Sequence, residues 1–80
     1  MIEPHLASNS HARLYRQLME LAVHAQHLRA RCRRLQRALV HLSEARRPHA
    51  EAELFEVRAE LGRVDTQISN VKAALALGAG

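Results

Sequence analysis

The sequence predicts an all-α protein in which two long helices fold back as an antiparallel coiled-coil hairpin. Three observations predict it. Apolar residues recur at alternating spacings of three and four along two long stretches, the period that places side chains on one seam of a coiled coil. Glycine and proline are scarce, at 3 and 2 residues, and lie near the ends or the middle of the chain. Between the two stretches Pro48 interrupts, and the apolar pattern restarts beyond it in a new phase.

The remaining composition agrees. A chain of 80 residues is one small domain, and such a domain buries only a modest share of its surface. With one Tyr, one Phe and no Trp there is no aromatic core to build. Ala, Leu, Arg and Glu dominate, the composition of long helices. The single cysteine has no internal partner and fits a reducing compartment. No apolar run approaches the ~18 residues of a transmembrane helix. The N-terminal stretch lacks the uninterrupted apolar run of a signal peptide. A cytoplasmic protein without a membrane partner is expected.

Taken in order, residues 1–9 read as an irregular lead. Pro4 resists helix continuation, Ile2 and Leu6 are available to pack, and Ser8, Asn9 and Ser10 are all good N-caps. Helix 1 is expected over residues 10–46, a rod of roughly 55 Å. Its stripe is Leu14, Leu18, Leu21, Ala25, Leu28, Cys32, Leu35, Leu39 and Leu42. The turn is expected at 46–48. Pro48 is favoured at the first position of a new helix, and it pushes Arg47 towards an extended conformation. Continued past Leu42, the stripe would land on Arg46 and His49, both polar.

Helix 2 is expected over 48–77, with the stripe Leu54, Val57, Leu61, Val64, Ile68, Val71 and Leu75. Glu51, Glu53 and Glu56 lie towards the positive pole of its dipole and Lys72 towards the negative one. The tail 78–80 should fray. Paired antiparallel around a turn at Pro48, the stripes match layer by layer. Leu42 meets Leu54, Leu39 meets Val57, Leu35 meets Leu61 and Cys32 meets Val64. Leu28 then meets Ile68, Ala25 meets Val71 and Leu21 meets Leu75. Arg29 shares a flank with Asp65, and Arg31 with Glu60. The same stripes also serve helices that open at Pro48 and pair between chains, as a swapped dimer or four-helix bundle.

The formal charge of +4 is unevenly spread. Arg29, Arg31, Arg33, Arg34, Arg37, Arg46 and Arg47 face a single acid, Glu44, in their segment; the next segment is mildly acidic. A basic-zipper factor needs its basic helix before the zipper, and here the arginines lie within and after it. The run could still contact phosphates. Arg33, Arg34 and Arg37 are therefore the candidate residues of an alternative reading, a small nucleic-acid-binding accessory protein.

Other chemistry is not indicated. His24 and His27 stand one helical turn apart, half of a metal site, but no acidic or thiol ligand joins them. Cys32 reads as a small core residue. No nucleophile–base pair or Gly-rich phosphate loop is present. No catalytic residue, cofactor, metal or small-molecule substrate is expected.

A hairpin has one seam and leaves its other faces wet. Helix 2 carries a second line of mostly small residues, Ala52, Phe55, Ala59, Gly62, Thr66, Ser69 and Ala73, at the same alternating spacing. Helix 1 carries Tyr15, Met19, Val23 and Val40 off its seam. The leading expectation is a non-enzymatic adaptor, co-chaperone or assembly subunit. Its helical partner, or a second copy of itself, would dock on Met19, Val23, Phe55, Ala59 and Gly62.

The lead Ile2-Glu3-x-x-Leu6, Pro48 opening the second helix, and the alanine-rich end Val71-Lys72-Ala73-Ala74-Leu75 give the chain a resemblance. It resembles the small helical-hairpin co-chaperones of type III secretion needle subunits. The likeness covers most of the chain as architecture. Helix 1 is longer here than in that family's pattern, and Phe55 stands nearest to where a tyrosine is expected after the turn. The resemblance implies a helical-repeat chaperone as partner, docked on the hairpin's outer face.

Overall fold

The computed structural model describes the backbone of residues 3–79 and the side chains of residues 10–78. Two helices, α1 (Glu3–Leu39) and α2 (Arg47–Ala79), pack along their length as an antiparallel hairpin. The molecule measures 66 × 15 × 14 Å. Among the described residues there is no strand, and no helix is long and apolar enough to cross a membrane. The fold class follows the sequence reading, and the stripes are satisfied within one chain.

The boundaries differ from those expected. The helix begins at Glu3 rather than at residue 10, so residues 3–9 are helical and not an irregular lead. Pro4 lies in the first turn, where its missing N–H is not needed. Ser8, Asn9 and Ser10 sit inside the helix at a small propensity cost instead of capping it. Ile2 and the side chain of Leu6 lie outside the described residues. Towards the C-terminus, Gly78 and Ala79 continue α2, and Gly80 is outside the described residues.

The larger correction is at the turn. α1 stops at Leu39, not at 46, and the connection is Val40–Arg46 rather than 46–48. Its backbone partners explain the stop. The His41 N–H donates to the Ala38 carbonyl at 2.9 Å, a tighter closing turn. The N–H groups of Arg46 and Arg47 donate to the Ser43 carbonyl at 3.1 and 3.0 Å, starting the next helix. The Arg47 guanidinium reaches back to the Leu39 carbonyl at 3.4 Å, satisfying an acceptor that the end of α1 leaves open. Pro48 therefore sits in the first turn of α2, where it is tolerated.

Ending α1 early shifts the helix pairing by one heptad. The flanking contacts fix the register: Arg31 donates to Glu53 at 2.6 Å, Arg29 donates to Asp65 at 3.0 Å, and His24 Nε2 lies 3.3 Å from Glu60. Such pairs straddle the apolar layers evenly. They place Leu35 opposite Leu54, Cys32 opposite Val57, Leu28 opposite Leu61, Ala25 opposite Val64, and Leu21 opposite Ile68. At the open end Gly78 lies against His11, where an added Cβ would stand 2.6 Å from Nε2. The expected Arg29–Asp65 pair is present. The expected Arg31–Glu60 pair is not, because the shift gives Arg31 to Glu53.

The shifted register buries more. Paired as the sequence suggested, Leu14 and Leu18 would overhang the end of the second stripe. In the structure they face Leu75 and Val71, and Ala50, outside the expected stripe, is buried opposite Leu39. Ala25, Leu28, Cys32, Leu54, Val57 and Val64 form the centre of the core, with Leu21, Leu35, Leu39, Leu61 and Ile68 packed around it. Ala25 is fully buried. Cys32 is buried in the seam, as expected. Leu42, expected as a helical layer, is instead a half-buried anchor of the turn.

Candidate functional site

With the seam closed, the candidate surface is what the hairpin leaves uncovered. In the heptad of α2, the seam positions face α1, and the line Ala52, Phe55, Ala59, Gly62, Thr66, Ser69, Ala73 falls on the opposite side. Every residue of that line is exposed. Phe55 is 74% exposed although it is the only phenylalanine of the chain. Thr66 donates its hydroxyl to the Gly62 carbonyl at 3.0 Å, one turn back. The hydroxyl is thereby turned onto its own helix.

Phe55, Ala59 and Gly62 are thus brought together on one face. Met19 and Val23 are exposed too, but on the far side of α1. They also lie towards the open end, roughly 20 Å along the rod from Phe55 at 1.5 Å per residue. The five candidate docking residues thus lie on two separate faces. Tyr15 joins the α1 group.

A shallow groove near the turn was missed. Gln36, Leu39, Glu51, Leu54, Phe55 and Arg58 line it, and it continues past Val40 and Arg47. Val40, 75% exposed, follows the last residue of α1 and stands with Leu39, Arg47 and Glu51. Only the true end of α1 could have revealed this neighbourhood, and that end carries no glycine or proline.

The opposite flank is electrostatic. Glu60 accepts from Arg63 at 2.8 Å and sits 3.3 Å from His24. Chiefly the Arg63 hydrogen bond, and then His24, hold its carboxyl below the ordinary value of 4.5. A carboxyl lowered in the folded state adds stability above its unfolded pKa and loses it as the pH falls through the folded one. The thermal midpoint of the helical signal should therefore fall on acidification below 4.5. In Glu60→Gln that part of the fall should be absent. An unchanged acid limb in the variant would mean that this cluster does not couple to folding.

Arg33, Arg34 and Arg37 lie exposed on the outer face of α1. Among the described residues none of them makes an ion pair, whereas Arg29 and Arg31 are engaged across the seam. His24 faces Glu60, and His27 is exposed. Among the described residues no group of three or more histidine, cysteine or acidic side chains gathers as a metal site would require.

The geometry defines a class: a two-helix coiled-coil hairpin whose outer faces carry exposed apolar and basic rows. Compared with known protein families, with curated proteins and with solved structures, the chain finds no match.

Proposed function

We propose that the protein is a non-enzymatic coiled-coil subunit that acts by docking a protein partner on the outer face of α2. The observation that carries this reading is the exposed row headed by Phe55, Ala59 and Gly62. A large aromatic side chain left in water on a face of small residues supports a surface that is covered when the protein works. Met19 and Val23 would serve a second, separate contact. The specific form implied by the resemblance is a co-chaperone of a type III secretion needle subunit, with a helical-repeat chaperone on this face.

A photo-crosslinking side chain at position 55, in the full-length protein at native abundance, tests the reading. Transfer to a polypeptide, either another protein or a second copy, is the expected result. Absence of any protein adduct from position 55 would sink it.

A second reading has its own observation: Arg33, Arg34 and Arg37 are exposed and, among the described residues, make no ion pair. As a nucleic-acid accessory protein, the chain would bind by phosphate contacts, and its affinity would fall steeply between low and moderate salt. Crosslinks to nucleic acid from position 34, with none to protein from position 55, would favour it.

A further inference from the structure

We propose that the partner of the α2 outer face is a second copy of this chain, seated antiparallel across a two-fold axis at the level of Val64. The inference rests on the docking reading above and names its occupant. Charge register selects this arrangement. The face Ala52–Ala76 is flanked on one side by Glu51, Arg58, Asp65 and Lys72. Laid antiparallel on its own copy, the face sets Phe55 over Ala73, Ala59 against Ser69, and Gly62 against Thr66. In that register Glu51 falls opposite Lys72 of the second copy, and Arg58 opposite Asp65. The two-fold axis repeats both pairs.

The alternatives are disfavoured by the same charges. A parallel arrangement opposes Glu51 with Glu56 and Arg58 with Arg63. An antiparallel slip of one heptad opposes Glu51 with Asp65 in one direction and Arg58 with Lys72 in the other. Like charges so placed reject a register. On the remaining flank of the proposed pairing, Glu56 meets Leu77 and Arg63 meets Asn70, so nothing repels. Among the described residues Glu51, Arg58 and Lys72 make no ion pair inside the hairpin. Asp65 is held by Arg29 through one oxygen, and its other oxygen is free to accept.

Gly62 supplies an independent observation. A Cβ added there would meet nothing within 4 Å, so the hairpin itself gives no reason for a glycine in mid-helix, where it weakens the helix. Next to the proposed axis the reason exists: a missing side chain lets the two α2 backbones approach, and the Thr66 hydroxyl already has its partner within its own helix. The small residues on either side continue that close contact, and Phe55 closes it at each end over Ala73.

Sedimentation equilibrium of the full chain is the test, with helicity followed in parallel. A dimer is expected. Lys72→Glu should weaken it by at least about tenfold by setting Glu against Glu51 twice, and Glu51→Lys with Lys72→Glu should restore it. Gly62→Leu should separate the copies while leaving the hairpin helical, because the space around it is open. A monomer at every concentration overturns the inference. So does a dimer indifferent to Lys72→Glu and Gly62→Leu. If the chain is monomeric while position 55 crosslinks to a different protein, the docking reading stands and only the second copy is wrong.

Discussion

Val64→Asp should leave the chain largely unfolded at neutral pH. Val64 is 3% exposed and shares a layer of the seam with Ala25, which is 0% exposed. No side chain there can receive a carboxylate, and Arg29 is engaged with Asp65 on the flank. An unpaired buried charge costs about 3–5 kcal/mol in cases where one partner of a buried pair is lost. A domain this small has little more than that in total. The far-UV helical signal should collapse at neutral pH and recover partly on acidification, when the carboxyl becomes neutral. Ser69→Asp, on the exposed face, should keep its helicity at concentrations where the chain is monomeric. A Val64→Asp protein that melts like the wild type would mean that Val64 is not in the core.

The second large effect tests the register directly. Cys32 faces Val57 in the structure, whereas the pairing suggested by the sequence sets it against Val64. Val57→Cys should therefore oxidise to an intrachain disulfide. Closing a loop of that length should stabilise the hairpin by about 3 kcal/mol. Val64→Cys should stay reduced, because a shift of one heptad separates the sulfurs by roughly 10 Å along the rod, beyond the reach of a disulfide. The thermal midpoint with and without reductant, together with mass analysis of the peptides, reads both variants. Ready oxidation of Val64→Cys with none in Val57→Cys would restore the shorter turn.

That contrast shows where the sequence was legible. The two stripes and the burial of Cys32 follow from spacing, because a seam must be apolar at each layer, and the antiparallel pairing follows from the interruption at Pro48. The register does not follow from spacing. Shifting one heptad repeat against another by seven residues leaves apolar facing apolar, so the pattern is degenerate. What selects one alignment is the length of the connection and the flank charges. Pro48 marked the second helix, but it is compatible with a turn on either side of Ser43. The end of α1 is written in backbone hydrogen bonds around Ala38 and Ser43 and in the Arg47 contact to Leu39, none of which has a periodic signature. Ala50 carries no signal in the sequence, because alanine on a helix reads equally as surface or core. At the N-terminus, Ser8, Asn9 and Ser10 favour caps, yet the helix ran through them to Pro4.

The candidate surface divided in the same way. Phe55, Ala59 and Gly62 share a face because they share a helix, and their spacing was sufficient. Met19 and Val23 belong to another helix, and joining them to the first three required the angle between the outer faces. In a two-helix rod those faces point apart.

The position of the turn also governs the order in which the hairpin assembles. Val40–Arg46 is a short loop, and closures of this size take on the order of 10–100 ns. Once Leu39 meets Ala50, each further layer adds to a neighbour already in place and closes no new loop. Folding should thus run from the turn towards Leu14 and Leu75 like a closing zip, with fast kinetics typical of local helical contacts. Opening should run the other way. Backbone amides near His11 and Leu75 should exchange with solvent well before those around Cys32 and Val57, which places the most persistent part of the rod beside Phe55.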